Sequence, residues 1–152
     1  MSIDGLDRLN VWQMAKTFAL TVYNEVLPHL PVEEKWGLNQ QLRRAVQSIP
    51  ANIAEGHGRF YYQETIRFCY IARGSLEEVC SHLELAHDLG FIPDDLYRRV
   101  SMEADKVNRL VNGYIAYLKK SRQGENEPGS PITIRENLSE YSPETDTPFS
   151  QD

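Results

Sequence analysis

Four long segments of this chain carry apolar residues at every third or fourth position. That spacing places the apolar side chains on one face of an α-helix. The segments cover about residues 9–27, 33–56, 63–89 and 94–122, and Pro and Gly residues separate them. Because the three connections are short, neighbouring helices are expected to run antiparallel. The pattern therefore predicts an all-α protein, an antiparallel up-down four-helix bundle.

Charge divides the chain into two parts. Residues 1–122 contain 15 Lys and Arg and 15 Asp and Glu, whereas residues 123–152 contain one Arg and seven acidic residues. A polar, acidic stretch cannot bury enough apolar surface to pay for its ordering, so it stays disordered. We therefore predict a folded bundle over residues 1–122 and a disordered acidic C-terminal tail over residues 123–152.

The sequence shows no feature of export or membrane insertion. No apolar run approaches the ~20 residues that span a membrane, and the first residues lack a basic region followed by an apolar stretch. Cys69 and Cys80 lie about three helical turns apart, too far for a disulfide. Two thiols on one helix face suit a reducing compartment. Together these features predict a cytoplasmic protein with no membrane partner.

A line of polar residues borders the apolar stripe of the second helix. Its members fall at steps of three and four: Arg44, Ser48, Asn52, Glu55 and Arg59. They therefore share one helix face. One interpretation is a structural network that includes Ser75 and Glu78 of the third helix. In that network, Glu55 pairs with an arginine, and Asn52 and Ser48 satisfy the carbonyl that Pro50 leaves without a donor. The other interpretation is a site for a ligand or nucleic acid.

Glycines mark two further features of these helices. Gly56 and Gly58 are expected to end the second helix. Gly74 lies in the middle of the third helix, where glycine costs about 1 kcal/mol relative to alanine. That cost predicts a close approach of another backbone at Gly74.

Basic residues of the second and third helices are the natural carriers of any affinity for RNA. They are Arg43, Arg44, Arg59, Arg67 and Arg73. Lys and Arg side chains that neutralise phosphates give sequence-independent, salt-sensitive binding. Tyr61 and Tyr62 lie nearby and could stack on bases. The alternative is that these arginines cover solvated helix faces and form ion pairs between helices.

Motifs that carry catalysis are missing from the sequence. Glu84 and His87 form one Glu-x-x-His, whereas di-iron bundles use two such motifs and two further Glu residues. There is no phosphate-binding glycine loop and no Gly-x-Ser-x-Gly elbow. We therefore predict no metal site, no cofactor and no enzymatic activity.

The nine residues from Ser48 to Gly56 read Ser-Ile-Pro-Ala-Asn-Ile-Ala-Glu-Gly, and Arg59 follows them. This run resembles the signature of a bacterial four-helix-bundle family encoded in 23S rRNA intervening sequences. Gln41, Arg44-Ala45 and the segment 71–78 (Ile-Ala-Arg-Gly-Ser-Leu-Glu-Glu) are similar to the same family. The similarity covers about residues 8–120.

The resemblance implies an antiparallel four-helix bundle that assembles into a ring of five copies, a pentamer. It also implies a loose similarity to the accessory protein of diversity-generating retroelements, which works with a reverse transcriptase and nucleic acid. The residues themselves also favour assembly. Apolar and aromatic side chains such as Trp12, Tyr23 and Tyr117 extend around more than one stripe of the first and fourth helices, so they need a second burial surface.

Two functions fit these features. The first is a non-catalytic homo-oligomeric bundle, a pentamer, that binds RNA or a nucleic-acid-processing partner. The second is a protein-interaction scaffold with no nucleic-acid contact, in which the acidic tail docks to a partner or guards a surface. Only the first predicts RNA binding that weakens with salt.

Overall fold

The computed structural model describes residues 5–122 and 124–126. The described residues form four α-helices and no strand: α1 (Asn10–Thr21), α2 (Leu38–His57), α3 (Tyr62–Asp88) and α4 (Asp94–Ser121). Short helical turns lie before α1 (Leu6–Arg8) and between α1 and α2 (Val22–Val26, Leu27–His29 and Val32–Glu34). The all-α prediction is confirmed.

Each helix packs against two neighbours, α1 against α2 and α4, and α3 against α2 and α4. This is the square arrangement of an up-down bundle. The apolar stripes meet in one core. Its largest fully buried side chains are Phe18, Val22, Val26, Leu42, Val46, Ile49, Ile53, Leu76, Val79, Leu83, Val100 and Val107.

The α1–α2 connection differs from the sequence prediction. The first helix was expected to continue regularly to residue 27, but it widens into a π-helical turn over Val22–Val26. Pro28 has no N–H for the carbonyl four residues earlier, so the regular ladder breaks one turn before it. The second helix begins at Leu38 instead of Glu33, and a Glu34 carboxylate oxygen accepts a hydrogen bond from the Leu38 N–H at 2.9 Å. Glu34 thus caps α2 from the preceding turn.

Glycine roles also differ from the prediction. Gly56 does not end α2, because the helix continues to His57 with Gly56 buried inside it. A Cβ atom at Gly56 would lie 2.9 Å from Phe68 Cβ and 3.0 Å from the Thr65 carbonyl oxygen. Gly74 was expected to mark a close approach, and this is wrong: nothing lies within 4 Å of a Cβ placed there. The close approach of α2 and α3 occurs at Gly56 instead.

Residues 124–126 turn back onto the α2–α3 connection. Gly124 lies against the rings of Phe60 and Tyr61, with φ of 81°. The Arg122 guanidinium pairs with Glu125 at 3.2 Å. The rest of the predicted acidic tail lies outside the described residues. Among the helices that are described, none is long and apolar enough to cross a membrane.

Candidate functional site

The polar residues of the α2 signature meet α3 in a small hydrogen-bonded cluster. The Ser48 and Ser75 hydroxyls are 2.8 Å apart, and the Asn52 amide donates to the Ser48 hydroxyl at 2.8 Å. Because Ser48 accepts from Asn52, its own proton is available to Ser75. All three side chains are half-buried. The cluster therefore links α2 to α3 at the edge of the core.

The cluster does not serve the carbonyl that Pro50 was expected to leave unpaired. That carbonyl belongs to Val46, four residues before Pro50. The Asn52 amide instead donates to the backbone carbonyl of Ser48, also at 2.8 Å. Asn52 thus holds the helix turn that contains Pro50, but by a different bond from the predicted one.

Three of the six residues predicted for this network lie outside the cluster. Glu55 pairs with Arg59 one helical turn away at 2.6 Å, and both side chains are about half exposed. Glu78 lies 3.4 Å from the His82 ring nitrogen on its own helix. Arg44 is exposed and makes no ion pair or side-chain hydrogen bond with any described residue. The charged members point outward because solvent solvates them at lower cost than the core edge does.

The five predicted RNA-contacting arginines have different surroundings. Arg43 lies over the Tyr23 ring, and Arg59 lies over Phe68. Arg73 covers Tyr70 and donates to the Asn112 side-chain oxygen at 3.0 Å. Arg44 and Arg67 are exposed, and within the described part of the chain neither has an ion-pair, hydrogen-bond or ring partner.

Arg44 lies on a part of α2 that is basic because no acidic residue accompanies its arginines. Residues 38–54 of α2 contain Arg43 and Arg44 but no acidic residue. Lys35 and Trp36 stand just before the helix, with the Lys35 ammonium 5.1 Å from the centre of the Trp36 ring. The Trp36 side chain is 76% exposed. We call Lys35, Trp36, Arg43 and Arg44 the basic α2 surface. Sequence reasoning had missed Lys35 and Trp36, which directly follow two acidic residues, Glu33 and Glu34, in the α1–α2 connection.

Tyr61 and Tyr62, the predicted stacking residues, lie at the opposite end of the bundle. Both rings are half-buried, and Tyr61 packs edge-on against Phe60 with the ring centres 5.2 Å apart. Exposed aromatic surface for base stacking is therefore greater at Trp36 than at either tyrosine.

The titratable groups in the core lack the features of a nucleophile. Burial raises the pKa of the Cys69 thiol to about 11, and burial together with the charges of Glu77 and Asp105 raises the pKa of Cys80. Reactive cysteines need a lowered pKa, so neither thiol is activated at neutral pH. Both cysteines are unpaired thiols.

His87, half of the Glu-x-x-His motif, has a structural environment. Its ring stacks on Tyr97 with the centres 4.2 Å apart, and its Nε2 lies 2.5 Å from an Asp94 carboxylate oxygen. The hydrogen bond and the charge of His87 lower the pKa of Asp94. This contact joins the end of α3 to the start of α4. Across residues 5–122 and 124–126, no group of three or more His, Cys, Asp or Glu side chains is placed to hold a metal ion.

The fold and the cluster at its seam define an antiparallel four-helix bundle in which a Pro-containing second helix is hydrogen-bonded to the third. Residues 7–113 match the sequence profile of the family described as 23S rRNA-intervening sequence protein. The chain belongs to this family. No curated protein matches it significantly.

A solved structure supports the same assignment. The chain is similar to a protein with unknown function from the S23 ribosomal protein family of Bacteroides thetaiotaomicron, with 25% sequence identity and a TM-score of 0.63. The similarity covers 69% of this chain and 97% of that protein. The part shared with it is therefore the bundle.

Proposed function

We propose that this protein is a non-catalytic, homo-oligomeric bundle of the cytoplasm that binds RNA or a nucleic-acid-processing partner, with the acidic tail as a separate segment. The observation that supports RNA binding best is the basic α2 surface. It combines cations with an exposed aromatic ring, the two elements that bind single-stranded RNA. The rRNA-related family is consistent with this proposal.

The basic α2 surface suits flexible RNA better than a rigid duplex. Arg43 and Arg44 lie about 10 Å along the helix from Trp36, so a strand could place phosphates at the arginines while one base stacks on the indole. Lys35 beside the ring adds charge at the stacking position. Cation and ring contacts of this kind tolerate many sequences, so we expect weak sequence preference and strong dependence on salt.

The test is binding of a fluorescently labelled single-stranded RNA to the full chain at a series of salt concentrations. We expect the double substitution Arg43→Gln/Arg44→Gln to weaken binding at low salt and to reduce the slope of log K against log[salt] by roughly 1–2, because each lost phosphate contact contributes about 0.7–0.9. Lys119→Gln/Lys120→Gln is the matched control, since it removes two adjacent cations at the far end of α4.

The outcomes separate the two candidate functions. A larger loss for the arginine pair than for the lysine pair supports RNA binding at the basic α2 surface. No binding by the wild-type chain at low salt contradicts RNA binding. The exposed apolar side chains at Leu20, Val32 and Leu89 would then favour the alternative, an interaction scaffold that binds protein partners only.

The assembly part of the proposal has its own observation. Within residues 5–122 and 124–126, nine large apolar side chains are more than two-fifths exposed, from Ile71 at 43% to Val32 at 79%. An oligomer, with five copies as the stoichiometry that the family resemblance implies, would bury part of this surface. A strictly monomeric mass at micromolar concentration would contradict it.

A further inference from the structure

The outer face of α3 exposes apolar and acidic side chains in a helical repeat. At steps of three and four it presents Ile71, Gly74, Glu78, Ser81, Leu85 and Asp88. Ile71 is 43% exposed and Leu85 is 50% exposed. Glu77 and Glu84 border the same face, so its half nearest the α3–α4 turn is acidic.

The outer face of α4 has the opposite charge. It presents basic, apolar and small residues at the same steps: Arg98, Arg99, Met102, Lys106, Arg109, Gly113 and Ala116. Met102 is 64% exposed. Asp95 and Asp105 are the acidic residues of this face, and they are outnumbered by the cations.

Contacts inside one protomer fix the relative height of these two faces. Arg73 of α3 donates to Asn112 of α4, so these two residues lie at the same level. The next residues along the chain, Gly74 and Gly113, turn outward, and nothing lies within 4 Å of a Cβ placed at either. A second copy, rotated about an axis parallel to the bundle and not shifted along it, therefore brings its Gly113 within two residues, about 3 Å, of the level of Gly74 of the first, and a shift of about 3 Å sets the two glycines opposite one another.

The side chains match when the two faces meet in that register. The helices run antiparallel, so each step from Gly74 towards the end of α3 is a step from Gly113 towards the start of α4. Leu85 then faces Met102, which pairs two exposed apolar side chains. Glu78 faces Arg109 on the same basis, and the two glycines allow the backbones to approach closely.

The residues at both ends of the contact also match in this register. Asp88 faces Arg99, and Ile71 faces Ala116. Beyond Ile71 the next pair is Arg67 with Lys120, which have like charges, so the favourable stretch ends there. From Ile71 to Asp88 it spans about 26 Å of helix.

We propose that α3 of one copy packs antiparallel against α4 of the next copy, with Gly74 opposite Gly113, and that this contact builds the homo-oligomer. The inference rests on the homo-oligomer of the proposed function and identifies its interface. The two faces of a protomer are different surfaces, so the contact is head-to-tail, which forms a ring when its rotation closes.

Two features of the fold favour a closed ring over a filament. The matched register needs a shift of only about 3 Å along the bundle axis, because it lies two residues from the register of the contact between Arg73 and Asn112 inside the protomer. The α3 and α4 faces belong to neighbouring corners of a square bundle, so they diverge by about 90°. A ring with this divergence closes after about four copies, and a divergence of about 108° closes it after five. The basic α2 surface stays on another corner, so the ring repeats it and raises its avidity for RNA.

Bulky substitutions at the two glycines test the interface without disturbing the protomer. Gly74→Gln and Gly113→Gln place a side chain into open space in the protomer, and both improve helix propensity. Each should prevent the close approach between copies and weaken self-association at least about tenfold. Thr17→Gln, on the exposed face of α1, is the matched control and should leave assembly unchanged. Sedimentation velocity measures the mass, and circular dichroism checks that each variant is helical.

Charge reversal provides a second and independent test. Glu78→Arg and Arg109→Glu should each weaken assembly, because each places like charges opposite one another, and the double variant should recover at least part of the loss. The two single variants mixed together should recover part of the assembly, since each contact between unlike variants pairs opposite charges at positions 78 and 109.

Each outcome has a distinct meaning. A wild-type chain that is monomeric at micromolar concentration contradicts the homo-oligomer itself. A wild-type oligomer that survives both glutamine substitutions and both charge reversals leaves the oligomer standing and overturns this interface. Loss of assembly in the glutamine variants, with recovery in the double charge reversal, supports the contact between α3 and α4.

Discussion

Replacing Gly56 with alanine tests the closest contact between α2 and α3. The new Cβ would lie 2.9 Å from Phe68 Cβ and 3.0 Å from the Thr65 carbonyl oxygen, whereas carbon atoms pack at about 3.5–4.0 Å. The Thr65 contact is with backbone, so α3 itself must move by several tenths of an ångström. Overpacking of this kind costs about 1–3 kcal/mol, and the better helix propensity of alanine returns less than about 1 kcal/mol near a helix end.

The net expectation is that Gly56→Ala lowers the free energy of unfolding by about 1–2 kcal/mol. Urea denaturation at a fixed protein concentration measures it, since assembly would otherwise shift the midpoint. The matched control is Gly58→Ala, where the nearest atom is 3.6 Å from the new Cβ and the change should stay within about 0.5 kcal/mol. An unfolding free energy for Gly56→Ala equal to or above the wild-type value would refute the close approach.

Two further predictions concern the polar contacts. Asn52→Leu removes the donor to the Ser48 hydroxyl and carbonyl and should lower the free energy of unfolding, measured in urea, by about 1 kcal/mol. Glu55→Ala breaks an exposed ion pair and should lower it by at most about 0.5 kcal/mol. Equal losses in the two variants would contradict the assignment of Asn52 to the structural cluster. Because His87 lowers the pKa of Asp94 from its ordinary 3.8, the pair stabilises the fold above that value and its contribution is lost as the pH falls through the lowered pKa. Asp94→Asn should therefore lose less stability than the wild type when the urea midpoint is followed from about pH 7 to below about pH 4. The same acid dependence in the variant and the wild type would argue against a stabilising contact between Asp94 and His87.

Helical periodicity was sufficient to predict the bundle because each stripe buries one face and the breakers are strong. α3 and α4 begin and end within a residue or two of the expected positions, where Gly90 and Pro93 separate them. The α1–α2 connection was harder. Pro28 disturbs the turn before it, and the side chain of Glu34 caps a helix that begins four residues later, so neither effect appears in a periodic pattern.

Glycine shows why local sequence could not place the contacts. Gly56 and Gly74 both lie within helices, yet one is buried against α3 and the other faces open space. Which of the two meets another backbone depends on how α2 and α3 cross, and that is a tertiary property. Glycine at position 74 does lower helix propensity, but no close backbone inside the protomer explains why a glycine stands there.

The candidate site was predictable only in part, for the same reason. Spacing alone put Ser48 and Asn52 on one face, and their partner Ser75 was among the residues expected there. The expected pairing of Glu55 with an arginine is also present, with Arg59 one turn along the same helix. Trp36 was missed, because one exposed aromatic residue in a connection has no periodic pattern around it.

The most direct test of an RNA-binding oligomer is sedimentation velocity of a fluorescently labelled single-stranded RNA with the full chain, at roughly 50 mM and 200 mM salt. We expect that at low salt the RNA sediments with a multiple of the chain mass, and that at high salt it returns to the rate of free RNA while the protein remains oligomeric. RNA that sediments at its free rate under both conditions, beside a chain of monomer mass, would contradict the RNA-binding oligomer.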